Sequence, residues 1–295
     1  MAGGQSSSGP SDGPTALRML VGAHLRRLRE ECGITRAEAG ERIRGSEWKI
    51  SRMELGRVSF KQRDVADLLD LYGVADEAER AAVLRRAKEA NAKSWWYGYR
   101  DVTPDWFQRY LGLEATASVI RTYEVQFIPG LLQTEDYARA VVRLGHGTAP
   151  PAEIERRVQL RMERQALLER PDPPRLWAVI DEAALRRPVG GAQVMRDQLE
   201  ALINIVMKLP KVQVQVIPLA AGGHAAAGGS FSILRFPHPQ VPDVVYIEQL
   251  TGALYLHKQD DLDQYAEVVN RLAVEAEPPD RTPEILTGII RDLRR

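Results

Sequence analysis

Four residues between positions 46 and 53 carry side chains that can read the edge of a base: Glu47, Trp48, Ser51 and Arg52. A carboxylate accepts from the cytosine amine, a guanidinium pairs with the two acceptors of guanine, and a hydroxyl serves either base. Trp48 adds a flat apolar ring. Around them stand Arg36, Ser46, Lys49 and Arg57, whose donors suit phosphate oxygens. From Ala16 to Phe60 ten basic residues stand against six acidic ones, an excess of four in a chain of formal net charge zero. Such a local excess is what neutralising a phosphate backbone requires. A helical bundle with a purely structural role is the alternative, and the charge argues against it.

Something must hold those side chains on one short helix. Leu17, Leu20, Val21, Leu25 and Leu28 recur at three and four, which places them on one face of a first helix. Gly33 follows Cys32 where a left-handed C-terminal cap is wanted. Thr35 with Glu38 forms a capping box, and Ile34 just outside it can staple onto Ala39. Gly40 costs about 1 kcal/mol in a helix interior but suits a close crossing. Gly45 turns the chain and Ser46 caps the next helix. There Ile50 and Met53 face the core, leaving Glu47, Trp48, Lys49, Ser51 and Arg52 outward. The whole reads as a helix-turn-helix whose second helix fits a major groove.

These residues resemble the lambda-repressor-like, XRE-type helix-turn-helix, with I-S-R-M-E-x-G at 50–56 as its usual close. Two positions depart from that pattern. Arg36 stands where the family commonly has Gln, and Ala39 where a large aliphatic residue is usual. Ala39 implies a less filled core, compensated by Trp48 or Phe60. Taken with the residues above, the chain reads as a sequence-specific regulator of double-stranded DNA that acts as a homodimer. Two recognition helices about 34 Å apart then read a near-palindromic operator.

A length of 295 residues predicts about two domains, and 44% hydrophobic content suits a soluble globular chain. No apolar run reaches membrane-spanning length. Residues 1–14 are rich in Gly and Ser and read as a disordered tail without a signal-peptide core. The single cysteine, Cys32, excludes an internal disulfide and suits a reducing cytoplasm. Its place on the first helix reads as a buried structural thiol. Only seven of forty basic residues are Lys, a skew that fits a GC-rich genome. The expected location is cytoplasmic and nucleoid-associated.

The all-α N-terminal domain is expected over 15–93. Val65, Leu68, Leu69 and Tyr72 form its fourth helix before Gly73, and Asp76 with Glu79 opens a connector helix through about Lys93. An aromatic junction follows over 94–110, read as a core seam between domains or subunits in preference to a base-stacking platform. A larger α+β (or α/β) domain is expected over 105–295. Its helices are predicted at 111–120, 134–144, 152–169, 193–209 and 260–275, with a short last helix after Pro283. Its strands are predicted at 176–180, 212–216, 231–236, 244–248 and 253–257. In 212–216, Val alternates with Gln, the pattern of a half-buried strand.

Little in this second region suggests catalysis. Gly222-Gly223-His224 and Gly228-Gly229-Ser230 lack the ending of a phosphate loop and read as a mobile lid. There is no G-x-S-x-G elbow, and the five histidines have no metal spacing. No catalytic residue, metal or cofactor is expected, and the chain reads as a non-enzyme. Asp181, Glu182 and Glu248 fall at predicted strand ends, where a ligand or partner pocket can form.

Several separated motifs resemble the DUF5753 domain: F-I-P-G-L-L-Q-T-E-D-Y-A-R-A at 127–140, R-x-x-R-Q at 161–165, D-E-A-A-L-R-R-P-V-G-G at 181–191 and V-Q-V-I-P at 214–218. That domain follows an XRE helix-turn-helix in actinobacterial regulators, among them WhiJ-like developmental regulators and Scr1-type antitoxin-like proteins. The resemblance implies a transcriptional regulator with a small DUF397-type protein as a possible partner. An antitoxin-like role, neutralising that partner and autoregulating an operon, is the alternative from another class. A ligand-binding or enzymatic second domain is a third.

Overall fold

The computed structural model describes residues 13–293 and divides into two compact units, one running to Tyr97 and the other from Gly98, with His238–Val241 grouped with the first. Residues 1–12, most of the expected tail, lie outside the described residues; Pro14, the last residue of that expected tail, instead starts the first helix. Among the described residues no helix is long and apolar enough to cross a membrane.

The first unit is five helices: α1 (Pro14–Glu31), α2 (Arg36–Arg42), α3 (Glu47–Glu54), α4 (Gln62–Leu71) and α5 (Glu77–Glu89). Gly33 (φ 67°) and Gly73 (φ 71°) take the left-handed conformation that ends α1 and α4. The Thr35–Glu38 capping box opens α2. Leu25, Ala39, Ile43, Ile50, Met53, Phe60, Val65, Leu68 and Leu69 form one core. Ala39 and Phe60 are both inside it, whereas Trp48 is 73% exposed and lies outside the core.

Two glycines set the crossing distances. A Cβ on Gly22 would lie 2.5 Å from the Met53 carbonyl oxygen, and one on Gly40 2.9 Å from the Ser46 carbonyl carbon. Both obstacles are backbone, so α3 must move away if either glycine gains a side chain.

Several expectations for this unit are corrected. The left-handed residue of the turn before α3 is Arg44 (φ 51°), not Gly45. Cys32 is exposed, its thiol donating to the Tyr72 carbonyl at 3.2 Å, because α1 ends at Glu31, before the apolar face reaches it. The connector helix stops at Glu89, and Val83, Ala87 and Ala90 pack in the same core, so α5 is the fifth member of the bundle. In the expected aromatic junction Trp96 is buried, while Trp95 and Tyr97 are exposed.

The second unit opens with α6 (Asp105–Thr116) and β1 (Val119–Glu124). The single helix expected over 111–120 is therefore a helix end, a turn and a strand start. α7 (Glu135–Gly145, capped by Thr134) and α8 (Pro151–Gln165) lead to β2 (Arg175–Asp181). The rest of the expected long helix, Ala166–Glu169, is a 3-10 turn. α9 (Glu182–Arg186) and α10 (Ala192–Lys208) lead to β3 (Val212–Ile217). Then come β4 (Phe231–Arg235), β5 (Val244–Gln249), β6 (Gly252–Leu256), α11 (Gln259–Glu275) and α12 (Thr282–Asp292).

The six strands form one sheet in the order β3-β2-β1-β4-β5-β6. β1, β2 and β3 run parallel, and β1–β4, β4–β5 and β5–β6 are antiparallel. α11 covers one face through Tyr123, Val179, Ile217, Phe231 and Val245. β3 is not half-buried: Gln215 lies inside, accepting from the Trp177 indole at 2.8 Å and donating to the Ala273 carbonyl at 3.2 Å. Its amide finds partners on both sides, which makes a buried glutamine affordable.

Candidate functional site

The surface of α3 follows from its burial pattern. Ile50, Met53 and Glu54 point inward, Glu47, Trp48 and Arg52 are exposed, and Ser51 is half-buried. The Ser46 hydroxyl accepts from the Lys49 backbone N–H at 3.3 Å and starts the helix. The four expected base-reading residues thus share one short helix, three of them fully open to a partner.

Two ion pairs hold this helix in place. Glu54 is buried and receives Arg29 of α1 at 2.5 Å and 3.1 Å, and Arg36 of α2 at 3.1 Å. Arg29 also donates to the Ile34 carbonyl at 2.9 Å, and its bond to Glu54 raises its pKa against the opposing effect of burial. One carboxylate therefore ties three helices together in a low-dielectric interior, where charge-assisted bonds are strongest. The second pair joins Lys49 to Asp64 of α4 at 2.5 Å.

That second pair corrects the expectation that Lys49 points outward. Its ammonium is committed to a largely buried carboxylate and fastens α3 to α4. Of the other expected phosphate contacts, Arg36 shares Glu54 through Nε and keeps its terminal nitrogens unbonded among the described residues. Arg57 is half-buried, its pKa lowered by burial and then by the nearby Arg52 charge. Ser46 is exposed but caps α3.

The basic excess is concentrated by this pairing. Arg26, Arg27 and Arg42 face Glu30, Glu31 and Asp70. Arg44 and Arg52 form no ion pair with a carboxylate among the described residues, and neither does Lys61 just before α4. Lys61 lies outside the patterned segment, and its sequence neighbourhood holds no signal for it.

The expected pocket residues of the second unit are split by strand parity. Asp181 ends β2 on the α11 side of the sheet. It caps α9 by accepting from Ala183 N–H at 2.8 Å and lies 3.6 Å from His224, which bonds the Tyr123 hydroxyl at 2.9 Å. Glu182 is spent on structure, accepting from Leu219 N–H at 2.8 Å and Arg186 at 2.7 Å. Glu248 lies on the opposite face, where its carboxylate accepts from Tyr246 at 2.8 Å. The segment 222–230 is pinned at both ends: His224 meets Tyr123, and the Ser230 hydroxyl accepts from Val125 N–H at 3.2 Å.

The carboxylate that sequence reasoning missed is Glu124, at the end of β1. Burial pushes its pKa up to about 7, with the Ser230 hydroxyl opposing and the neighbouring Glu248 adding to the rise. Arg164 of α8 and Tyr137 of α7 also lie within its electrostatic reach. Because the folded value exceeds the unfolded value, the folded state holds the proton more tightly. Its stabilising share is full below the usual carboxylate range and is lost as pH rises through about 7. Urea titrations should show stability falling by on the order of 2 kcal/mol between pH about 5 and about 8 from this group. Glu124→Gln should flatten that slope; an unchanged slope would assign it to other residues. Among the described residues no cluster of His, Cys, Asp and Glu can hold a metal.

A family model described as a helix-turn-helix domain matches residues 20–83, which span α3 and both of its ion pairs. A second, described as a domain of unknown function (DUF5753), matches residues 107–288, more than half of the chain. No curated protein and no solved structure matches.

Proposed function

The chain belongs to the DUF5753 family and carries a helix-turn-helix DNA-binding domain ahead of it, and from that premise we propose a sequence-specific transcriptional regulator whose second unit senses a small ligand or protein partner. The observation that carries this reading is the exposed row Glu47, Trp48 and Arg52 on a helix locked by buried ion pairs. Base readout needs side chains held in register with the groove, and a rigid helix supplies that without ordering cost on binding. Arg52 pairs with guanine, Glu47 accepts from a cytosine amine, and Trp48 packs against a thymine methyl. Arg36, Arg44, Arg57 and Lys61 hold phosphates. The protein acts as a homodimer on a near-palindromic operator in the cytoplasm, and it is not an enzyme. Its partner in the family's pattern is a small DUF397-type protein, and an antitoxin-like use of that contact is the second reading.

Gel retardation against promoter fragments of the host tests the proposal. Arg52→Ala should cost about 1–3 kcal/mol on the specific site and little on random duplex. An equal loss on every duplex would move Arg52 to the phosphate contacts. Failure of the native protein to retard any fragment at low salt would sink the reading. Mapping bound DNA with and without the small protein separates regulator from antitoxin.

A further inference from the structure

The sheet face under α11 changes character at one end. Val119 and Arg121 lie on β1 with Tyr123, and side chains two apart share a face, so both look toward α11. Their register partners on β4 are Arg235 and Ile233. Above them α11 presents Gln259, Leu262, Asp263 and Ala266, the i, i+3, i+4, i+7 stripe of one helix face. Farther along α11, Val269 and Leu272 are wholly buried against the sheet. At this end the stripe offers one leucine, one alanine and two polar side chains, too little volume to close the gap. A recess of about 150 Å³ remains, walled on one side by Pro242 and Asp243 before β5, and all of its lining belongs to the second unit.

Its polar side chains are paired, with one exception. Arg235 donates to Asp243 at 2.9 Å, and Gln259 donates to Asp263 at 2.8 Å. Arg121 forms no hydrogen bond and no ion pair among the described residues. Its guanidinium lies over the Trp177 ring, 5.3 Å from the centroid. A ring face fixes the plane of a guanidinium but takes none of its N–H bonds. Burial lowers the Arg121 pKa, the Arg235 charge lowers it further, and Asp243, already bonded to Arg235, only partly offsets them. The rest of the lining is mostly apolar: Ile233 and Leu262 are buried, and Val119 and Ala266 half-buried.

We infer that this recess binds a small monocarboxylate with an apolar tail of about three to five carbons. The carboxylate takes the free N–H edge of Arg121, since a flat two-oxygen acceptor fits a guanidinium fork. The tail lies among Val119, Ile233, Leu262 and Ala266. An apolar cavity of about this volume holds one benzene, which limits the occupant to roughly six to eight heavy atoms. Phosphate would bring a second negative charge toward Asp243 and Asp263 and leave the apolar lining uncovered. An amine would be repelled by Arg121 and Arg235. A neutral apolar molecule would strip water from Arg121 without replacing its bonds. Arg121 is half-buried, while Arg235, Gln259 and Asp263 are exposed, so the recess is reached from solvent.

This inference deepens the sensing role proposed above and rests on it for its purpose, though its test needs no DNA. The full-length protein is melted at fixed ionic strength with acetate, butyrate, hexanoate and octanoate, each at about 10 mM, a bound ligand raising the transition by mass action. Butyrate or hexanoate should raise it most, with acetate too short to cover the lining and octanoate too long for the recess. The corresponding amides and amines, and phosphate, should each bind at least about tenfold more weakly. Arg121→Gln should weaken the best acid about tenfold or more. Ala266→Phe fills the recess without touching a charge and should abolish binding. If either variant fails to fold, the head-group and chain-length series on the native protein decides alone. No stabilisation by any of the four acids overturns the inference, as does equal stabilisation by phosphate or by an amide. So does a transition that keeps rising to octanoate, or undiminished binding in either folded variant. Loss of operator binding with carboxylate binding intact would sink the regulator reading alone.

Discussion

Glu54→Ala should destabilise the helical unit by about 3–5 kcal/mol and abolish operator binding along with it. The carboxylate is buried and accepts from Arg29 at 2.5 Å and 3.1 Å and from Arg36 at 3.1 Å. Removing it leaves the Arg29 guanidinium buried with only the Ile34 carbonyl and an exposed Glu30 as partners. An uncompensated charge in the interior costs more than the pair itself contributes. Urea denaturation of the single variant measures the loss. The double variant Arg29→Met with Glu54→Leu should recover most of the stability, because it removes both charges at similar volume. A single variant within 1 kcal/mol of the parent, about the scale of an exposed pair, would show that water reaches Arg29. α3 approaches α1 at Gly22 with no room for a Cβ. Loosening α3 therefore disturbs the spacing of Glu47, Trp48 and Arg52 even where the unit stays folded.

The second large effect belongs to the other unit. Glu114→Ala should cost a further 3–5 kcal/mol by the same mechanism, here stranding Arg164. Glu114 is 1% exposed and holds Arg164 in two bonds. Burial pulls the Arg164 pKa down, and the Glu114 and Tyr110 fields outweigh it. The guanidinium also lies over the rings of Phe107 and Tyr110, at 5.6 Å and 5.2 Å from their centroids, so cation–π attraction retains part of the loss. Thermal unfolding followed by far-UV circular dichroism checks it. Glu114→Gln should be milder, because an amide still accepts from one guanidinium nitrogen. Equal losses from Ala and Gln would mean that charge, and not hydrogen bonding, carries the interaction.

The helix-turn-helix was legible in the order of residues because its signals are local. A capping box needs only Thr35 and Glu38, and an exposed row needs only the 3.6-residue period that sorts Ile50 and Met53 from Glu47, Trp48 and Arg52. The same period misjudged Lys49, because Asp64 stands fifteen residues away and no local pattern predicts that attraction. It misjudged Cys32 because periodicity continues past the point where a helix ends. In the second unit most strands were found, yet β1 was absorbed into a helix. The stretch 111–120 is apolar enough to fit either, and only pairing with β2 and β4 decides it.

Local spacing by itself determined the recognition helix, its caps and the alternation of helices and strands, since these depend on contacts a few residues apart. Tertiary structure alone decided which charges meet. Asp181 and Glu248 both end strands, but opposite parity sends them to opposite faces, while Glu114 and Arg164 come together across fifty residues of chain. A carboxylate's surroundings depend on register and helix placement, which nothing near it in the sequence specifies.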